Sequence, residues 1–98
     1  MPLYIAMINW TDQGVKGLND SPGRAAAFKQ LAQEMGCTVH GLFFTMGRYD
    51  SAARIEAPDD ETVSALMLKL GQLGNVRSET MRAFTEEEFA AVLRKAGG

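Results

Sequence analysis

Tyr49 and Asp50 close the run Gly47-Arg48-Tyr49-Asp50 and set a phenol beside a carboxylate. Such a pair could orient a polar ligand or take part in proton transfer. It also has a structural use, which is favoured: Asp bonds backbone amides in turns, and Tyr packs its ring while its hydroxyl reaches water. His40 is the only histidine. It could act as a general base or heme ligand; the strand register below turns it toward the helices, where a satisfied core or edge histidine is expected. One histidine excludes a three-histidine metal site within one chain, and no metal is assigned. Asp59, Asp60 and Glu61 could hold a cation, but a helix start explains them fully. Arg54 and Glu56 lie two apart; Arg54 could grip an anionic ligand bidentately or pair with Glu56 or Glu79 of a second subunit. Loss of Met1 would expose Pro2 as a secondary amine of the kind some tautomerases use, though a start-site accident is the preferred reading. No catalytic residue and no cofactor is assigned.

A chain of 98 residues suits a single domain, 1–98, with one core. So short a chain leaves much surface uncovered, which favours self-association. A formal charge of −2 with Lys and Arg scattered argues against a nucleic-acid surface. No apolar stretch approaches the roughly 18 residues of a membrane span, and no secretory signal is visible at the N-terminus. The single cysteine, Cys37, fits a reducing cytoplasm and reads as a small buried residue at a strand start.

The elements that must hold these side chains centre on a hairpin. Thr38 to Thr45 is rich in β-branched and aromatic residues, and Gly47 supplies the positive φ of a tight turn. With Gly47 and Arg48 as the loop, Met46 faces Tyr49 and Thr45 faces Asp50. Phe44, Leu42 and His40 then face Ser51, Ala53 and Ile55 on one side; Phe43, Gly41 and Val39 face Ala52, Arg54 and Glu56 on the other. The first side is expected to meet the helices.

Leu3 to Trp10 is nearly all apolar, as suits a central strand. Thr11 to Asp20 contains Gly14 and Gly17, has no clear period and no phosphate-binding signature, and is expected to be a loop of functional interest. Ser21-Pro22 opens a helix with Ser21 as N-cap, and Gly36 ends it. Asp59 caps a second helix with Val63, Leu66, Met67, Leu70 and Leu73 as its stripe; Gly71 and Gly74 mark its end. Asn75 to Phe84 is the last strand. Thr85 and Glu88 form a capping box before a short helix carrying Phe89, Val92, Leu93 and Ala96, and Gly97-Gly98 is expected to fray. This order fits a split β-α-β sheet with the third strand between the first and second and both main helices on one face. The other face would show Phe43, Val39 and one side of the first strand. Such a patch marks an interface or ligand groove, so a homodimer or larger homo-oligomer is expected.

Gly47-Arg48-Tyr49-Asp50 also resembles the pattern that names the GYD domain family. So do Trp10-Thr11-Asp12-Gln13-Gly14, Ser21-Pro22-Gly23-Arg24, Glu56-Ala57-Pro58-Asp59-Asp60 and the run from Leu73 to Thr85, in matching order. The resemblance implies an α+β, ferredoxin-like βαββαβ sandwich with an antiparallel sheet and a short C-terminal helix, of the dimeric α+β barrel type. Relatives of that type include heme enzymes, small monooxygenases and ligand-binding regulators, so no reaction follows from it. The expectation is an oligomeric module binding a small organic or anionic ligand on the open sheet face through Phe43, Tyr49, Asp50, Arg54 and Glu56. A small monooxygenase- or isomerase-like enzyme in that cavity, or a purely structural assembly unit, are the alternatives.

Overall fold

A computed structural model describes residues 1–97. Strand β1 (Leu3–Trp10) leads into a short helix α1 (Asp12–Lys16), a 3₁₀ turn (Leu18–Asp20) and helix α2 (Ser21–Glu34); β2 (Thr38–Phe44) and β3 (Ser51–Glu56) form the hairpin, followed by α3 (Asp60–Gln72), β4 (Val76–Ala83) and α4 (Glu86–Lys95). The sheet order is β2-β3-β1-β4, and every neighbouring pair is antiparallel. This is the expected ferredoxin-like sandwich.

One core lies between the sheet and helices α2 and α3. β1 contributes Tyr4, Ala6 and Ile8, β3 contributes Ala53 and Ile55, and the helices contribute Phe28, Ala32, Val63, Leu66 and Met67. Alternation along β1 and β3 puts every second residue on this side. Ala6, Ala32 and Ala53 are almost fully buried, and their small side chains let the helices sit close to the strands. Cys37 is also in this core, and burial pushes its thiol pKa up; the thiol is therefore a poor nucleophile. Tyr4 donates a 2.5 Å hydrogen bond to Asp60 Oδ1, tying β1 to the start of α3.

Several local expectations are met. Gly36, Gly47 and Gly74 all take positive φ. Asp59 caps α3 by accepting from the Thr62 N–H at 2.8 Å. Thr85 and Glu88 form the reciprocal capping box, and the Thr85 N–H holds the Glu88 carboxyl below its ordinary pKa.

Others need correction. Thr11 to Asp20 is not a loop. Thr11 caps α1 through its hydroxyl, which accepts from the Gly14 N–H at 3.1 Å. Gly14 is required by packing: a Cβ there would fall 2.0 Å from the Asn75 carbonyl oxygen. Ser21 is the first residue of α2 and not its cap; Asp20 holds that position without a side-chain cap bond, because the 3₁₀ turn runs straight into the helix. Gly71 lies inside α3, and β4 is one residue shorter at each end than expected. The fraying expected at Gly97-Gly98 falls, for Gly98, outside the described residues.

The hairpin register agrees from Phe44 opposite Ser51 to Gly41 opposite Arg54, then breaks. A bulge between Val39 and Gly41 puts Val39 opposite Ile55 and Thr38 opposite Glu56. The extra residue, His40, is turned to the outer side, where its Nε2 lies 3.0 Å from Glu56 Oε1. Val39 is turned inward and packs on the core. The two residues thus exchange the faces that strict alternation gives them. The turn is also wider than two residues, with Thr45 N–H donating to Asp50 C=O at 2.9 Å as the last backbone bond.

Among the described residues α4 packs closely on no other element. Phe89, Val92 and Leu93 are all exposed, so its apolar stripe meets water. It leaves the sheet at the end opposite the hairpin tip, and the molecule measures 50 × 31 × 18 Å. The radius of gyration is 14.7 Å, against roughly 12.6 Å for an average compact domain of this length.

Candidate functional site

Alternation fixes what the open face carries. Leu3, Ile5, Met7 and Asn9 run along its centre; the register sets Glu56, Arg54 and Ala52 on one side of them and Ala83, Met81, Glu79 and Arg77 on the other. Phe43 stands beyond Ala52 on β2. Its ring lies over Gly41, where a Cβ would come within 3.0 Å of it. Among the described residues no helix packs on this face. Phe43 is 65% exposed and Met81 44%, while Leu3, Ile5 and Met7 keep a smaller part of their surface exposed.

Acidic and basic groups sit together here. Glu56 is held from two sides, by His40 Nε2 at 3.0 Å and by the N-terminal amine at 4.0 Å. The His40 hydrogen bond is the main reason its carboxyl titrates below the ordinary range. Arg54 stands between Gly41 and Ile5 and joins none of the ion pairs among the described residues. Tyr49 reaches across the end of β1 and donates from its hydroxyl to Glu79 Oε1 at 3.2 Å.

The face therefore collects Phe43, Arg54 and Glu56, with Tyr49 leaning onto it. Asp50 does other work. Its carboxylate accepts the Trp10 N–H at 2.9 Å, and its own N–H donates to the Ile8 C=O at 2.9 Å. It fastens the hairpin to the end of β1, where its carboxylate reaches the distant Trp10 amide in place of the amides of its own turn. His40, Arg77 and Met81 are among the open-face residues that sequence reasoning did not place there. The only signal for His40 was Gly41 beside it, since glycine within a strand often accompanies a bulge.

Chemically, the face offers apolar area at its centre and both charge signs around it. It does not present a nucleophile beside a base. Among the described residues no group of three His, Cys, Asp or Glu is placed to hold a metal ion, and no helix is long and apolar enough to cross a membrane. On the opposite, helix side a small, partly open cavity is lined by Trp10, Phe28, Phe44 and Ser51 among others.

Residues 4–93 match the model of the GYD domain. A Thermus thermophilus protein, named glutamine synthetase and cystathionine beta-lyase binding protein, is 32% identical over 95 residues, which cover 96% of this chain and 100% of that one. Several solved structures share the fold, among them these two. A feast or famine regulatory protein from M. tuberculosis, complexed with L-methionine, superposes with a TM-score of 0.66 at 13% identity over 87% of this chain and 51% of its own. This chain thus spans about half the length of that regulator. The other, the crystal structure of a Thermus thermophilus protein, gives a TM-score of 0.57 at 22% identity, covering 87% of this chain and 95% of that one.

Proposed function

The chain belongs to the GYD domain family, and from that premise we propose that it works by binding and not by turnover. Two copies close their open sheet faces on each other, and the homodimer engages partner proteins. The observation that carries this reading is the mixture on one uncovered face: Ile5, Met7, Phe43 and Met81 among Arg54, Arg77, Glu56 and Glu79. A surface with both charge signs can pair with itself about a two-fold axis, so that each arginine meets a glutamate of the other copy.

Size gives a second part to the argument. β1 has 8 residues, so the four-stranded face is about 26 by 19 Å, a footprint of roughly 500 Å². A stable interface covers about 800 Å² on each partner. The apolar stripe of α4 supplies the difference, which accounts for a capped, well-formed helix whose Phe89, Val92 and Leu93 stay exposed in the single chain.

The small organic or anionic ligand expected at this face would occupy the chamber between the two sheets, with Arg54 meeting its charge. An enzymatic reading is weaker, because the Asp50 carboxylate is already engaged by the Trp10 N–H. The name of the Thermus thermophilus relative supports partner proteins drawn from amino-acid metabolism. Native mass spectrometry of the freshly purified chain at micromolar concentration tests the association: two chains, or a multiple of two, are expected, and a single chain would overturn it. Adding purified glutamine synthetase or cystathionine beta-lyase tests the partner, with co-sedimentation expected for one of them and separate boundaries for both counting against it.

A further inference from the structure

We infer that the helix side of the sheet holds a separate site, a slot for a short linear carboxylate. A cavity of about 60 Å³ lies between the sheet and the first turn of α2. It adjoins a groove of about 310 Å³ between α2 and α3, and the two share Arg24, Phe28, Leu70 and Val76. The stacked rings of Trp10 and Phe44, with centroids 6.3 Å apart, bound the cavity.

Two polar groups interrupt these apolar walls. Ser51 lines the cavity and is only 5% exposed. Its hydroxyl takes part in none of the side-chain hydrogen bonds that tie the strand ends together, although its neighbour Asp50 is fully used there. Among the described residues no buried side-chain polar atom lacks a hydrogen-bond partner, so the Ser51 hydroxyl faces accessible space in the cavity, where a ligand oxygen would replace water. Arg24 lines both spaces. One nitrogen, Nη1, donates to the Gly14 C=O at 3.1 Å. The other, Nη2, lies 3.9 Å from Asp20 Oδ2. The Asp20 side chain is 78% exposed and that of Arg24 28%, so this ion pair is loose and weak.

Shape and charge together set the ligand class. The cavity is smaller than the about 150 Å³ that holds benzene, so a ring does not enter it. A linear chain lying in the groove fits, with its tip in the cavity. The planar guanidinium matches a carboxylate, and the single cation matches a single negative charge. The site lies on the far side of the sheet from the proposed dimer face, so it does not depend on that reading.

The test is titration of the ¹⁵N-labelled full chain with sodium hexanoate, and separately with hexanol. Saturable shifts are expected at the Trp10 indole, Ser51 and Leu70, with hexanol weaker by roughly tenfold or more, the value of a charge-assisted hydrogen bond. Arg24→Gln is expected to weaken hexanoate by the same factor. Because Arg24→Gln also removes the bond to Gly14, Ala25→Leu provides an independent check: it fills the cavity, leaves Arg24 in place, and is expected to abolish the shifts. Equal binding of hexanol, wild-type binding by Ala25→Leu, shifts confined to the open face, or no saturation at tens of millimolar hexanoate would each overturn the inference.

Discussion

Replacing Phe43 with alanine separates association from folding. The ring is 65% exposed in the single chain, so about two-thirds of its burial remains to be gained from a second copy. Full burial of a phenylalanine side chain is worth about 1.5–3 kcal/mol, which leaves about 1–2 kcal/mol per ring in the interface. A two-fold axis counts the residue twice, giving about 2–4 kcal/mol per dimer. At about 1.4 kcal/mol per factor of ten, the dissociation constant is expected to rise roughly 30- to 700-fold. The isolated chain loses little, since exposed substitutions usually stay within about 0.5 kcal/mol. Sedimentation velocity over a dilution series reads the first quantity, and thermal melting at concentrations where both proteins are dissociated reads the second. A dissociation constant within threefold of the wild type, with native circular dichroism, would refute the placement of Phe43 in the interface. A large fall in the melting temperature of the dissociated chain would instead show that Phe43 serves the fold.

Two further outcomes follow from other contacts. Phe89→Ser with Leu93→Ser removes the stripe of α4 while leaving the sheet core untouched; the dimer is expected to weaken by about tenfold or more, and an unchanged dissociation constant would exclude α4 from the interface. Tyr4→Phe deletes the hydroxyl bonded to Asp60 and is expected to cost about 1.5 kcal/mol or more, lowering Tm by at least about 6 °C. The Asp60 hydrogen bond, then burial, raises the Tyr4 pKa from 10.0 to about 12. The wild type therefore loses stability as pH rises from about 10 to about 12. Tyr4→Phe is expected to lack that component, and parallel pH–stability curves would contradict the assignment.

How far the fold could be read from the sequence depended on whether a constraint was local. Gly47, Asp59, Thr85 and Glu88 act within a few residues, and their roles were legible. The register held from Phe44 to Gly41 for the same reason, then failed at His40, because one inserted residue reverses every face beyond it. α1 was hidden because Gly14 reads as a breaker, whereas its place is fixed by close approach to Asn75, 61 positions away in the chain by the numbering. The candidate site divides in the same way. Phe43, Arg54 and Glu56 share a face because alternation puts them there. Asp50 was legible as a turn residue but not as the fastener of β1. The helix-side slot was invisible, since Trp10, Arg24, Ser51 and Leu70 come from four elements and no spacing links them.

The central claim is that the open face meets the same face of a second copy, and its methionines report on this without mutation. In a mixture of chains carrying ¹³C-methyl methionine and unlabelled chains, an isotope-filtered NOE experiment detects only contacts between subunits. Met7 and Met81 lie on the open face, and Met67 is buried in the core. Intermolecular NOEs are expected at the Met7 and Met81 methyl groups and not at Met67. Silence at both open-face methyls, whatever the mass of the particle, would contradict the account.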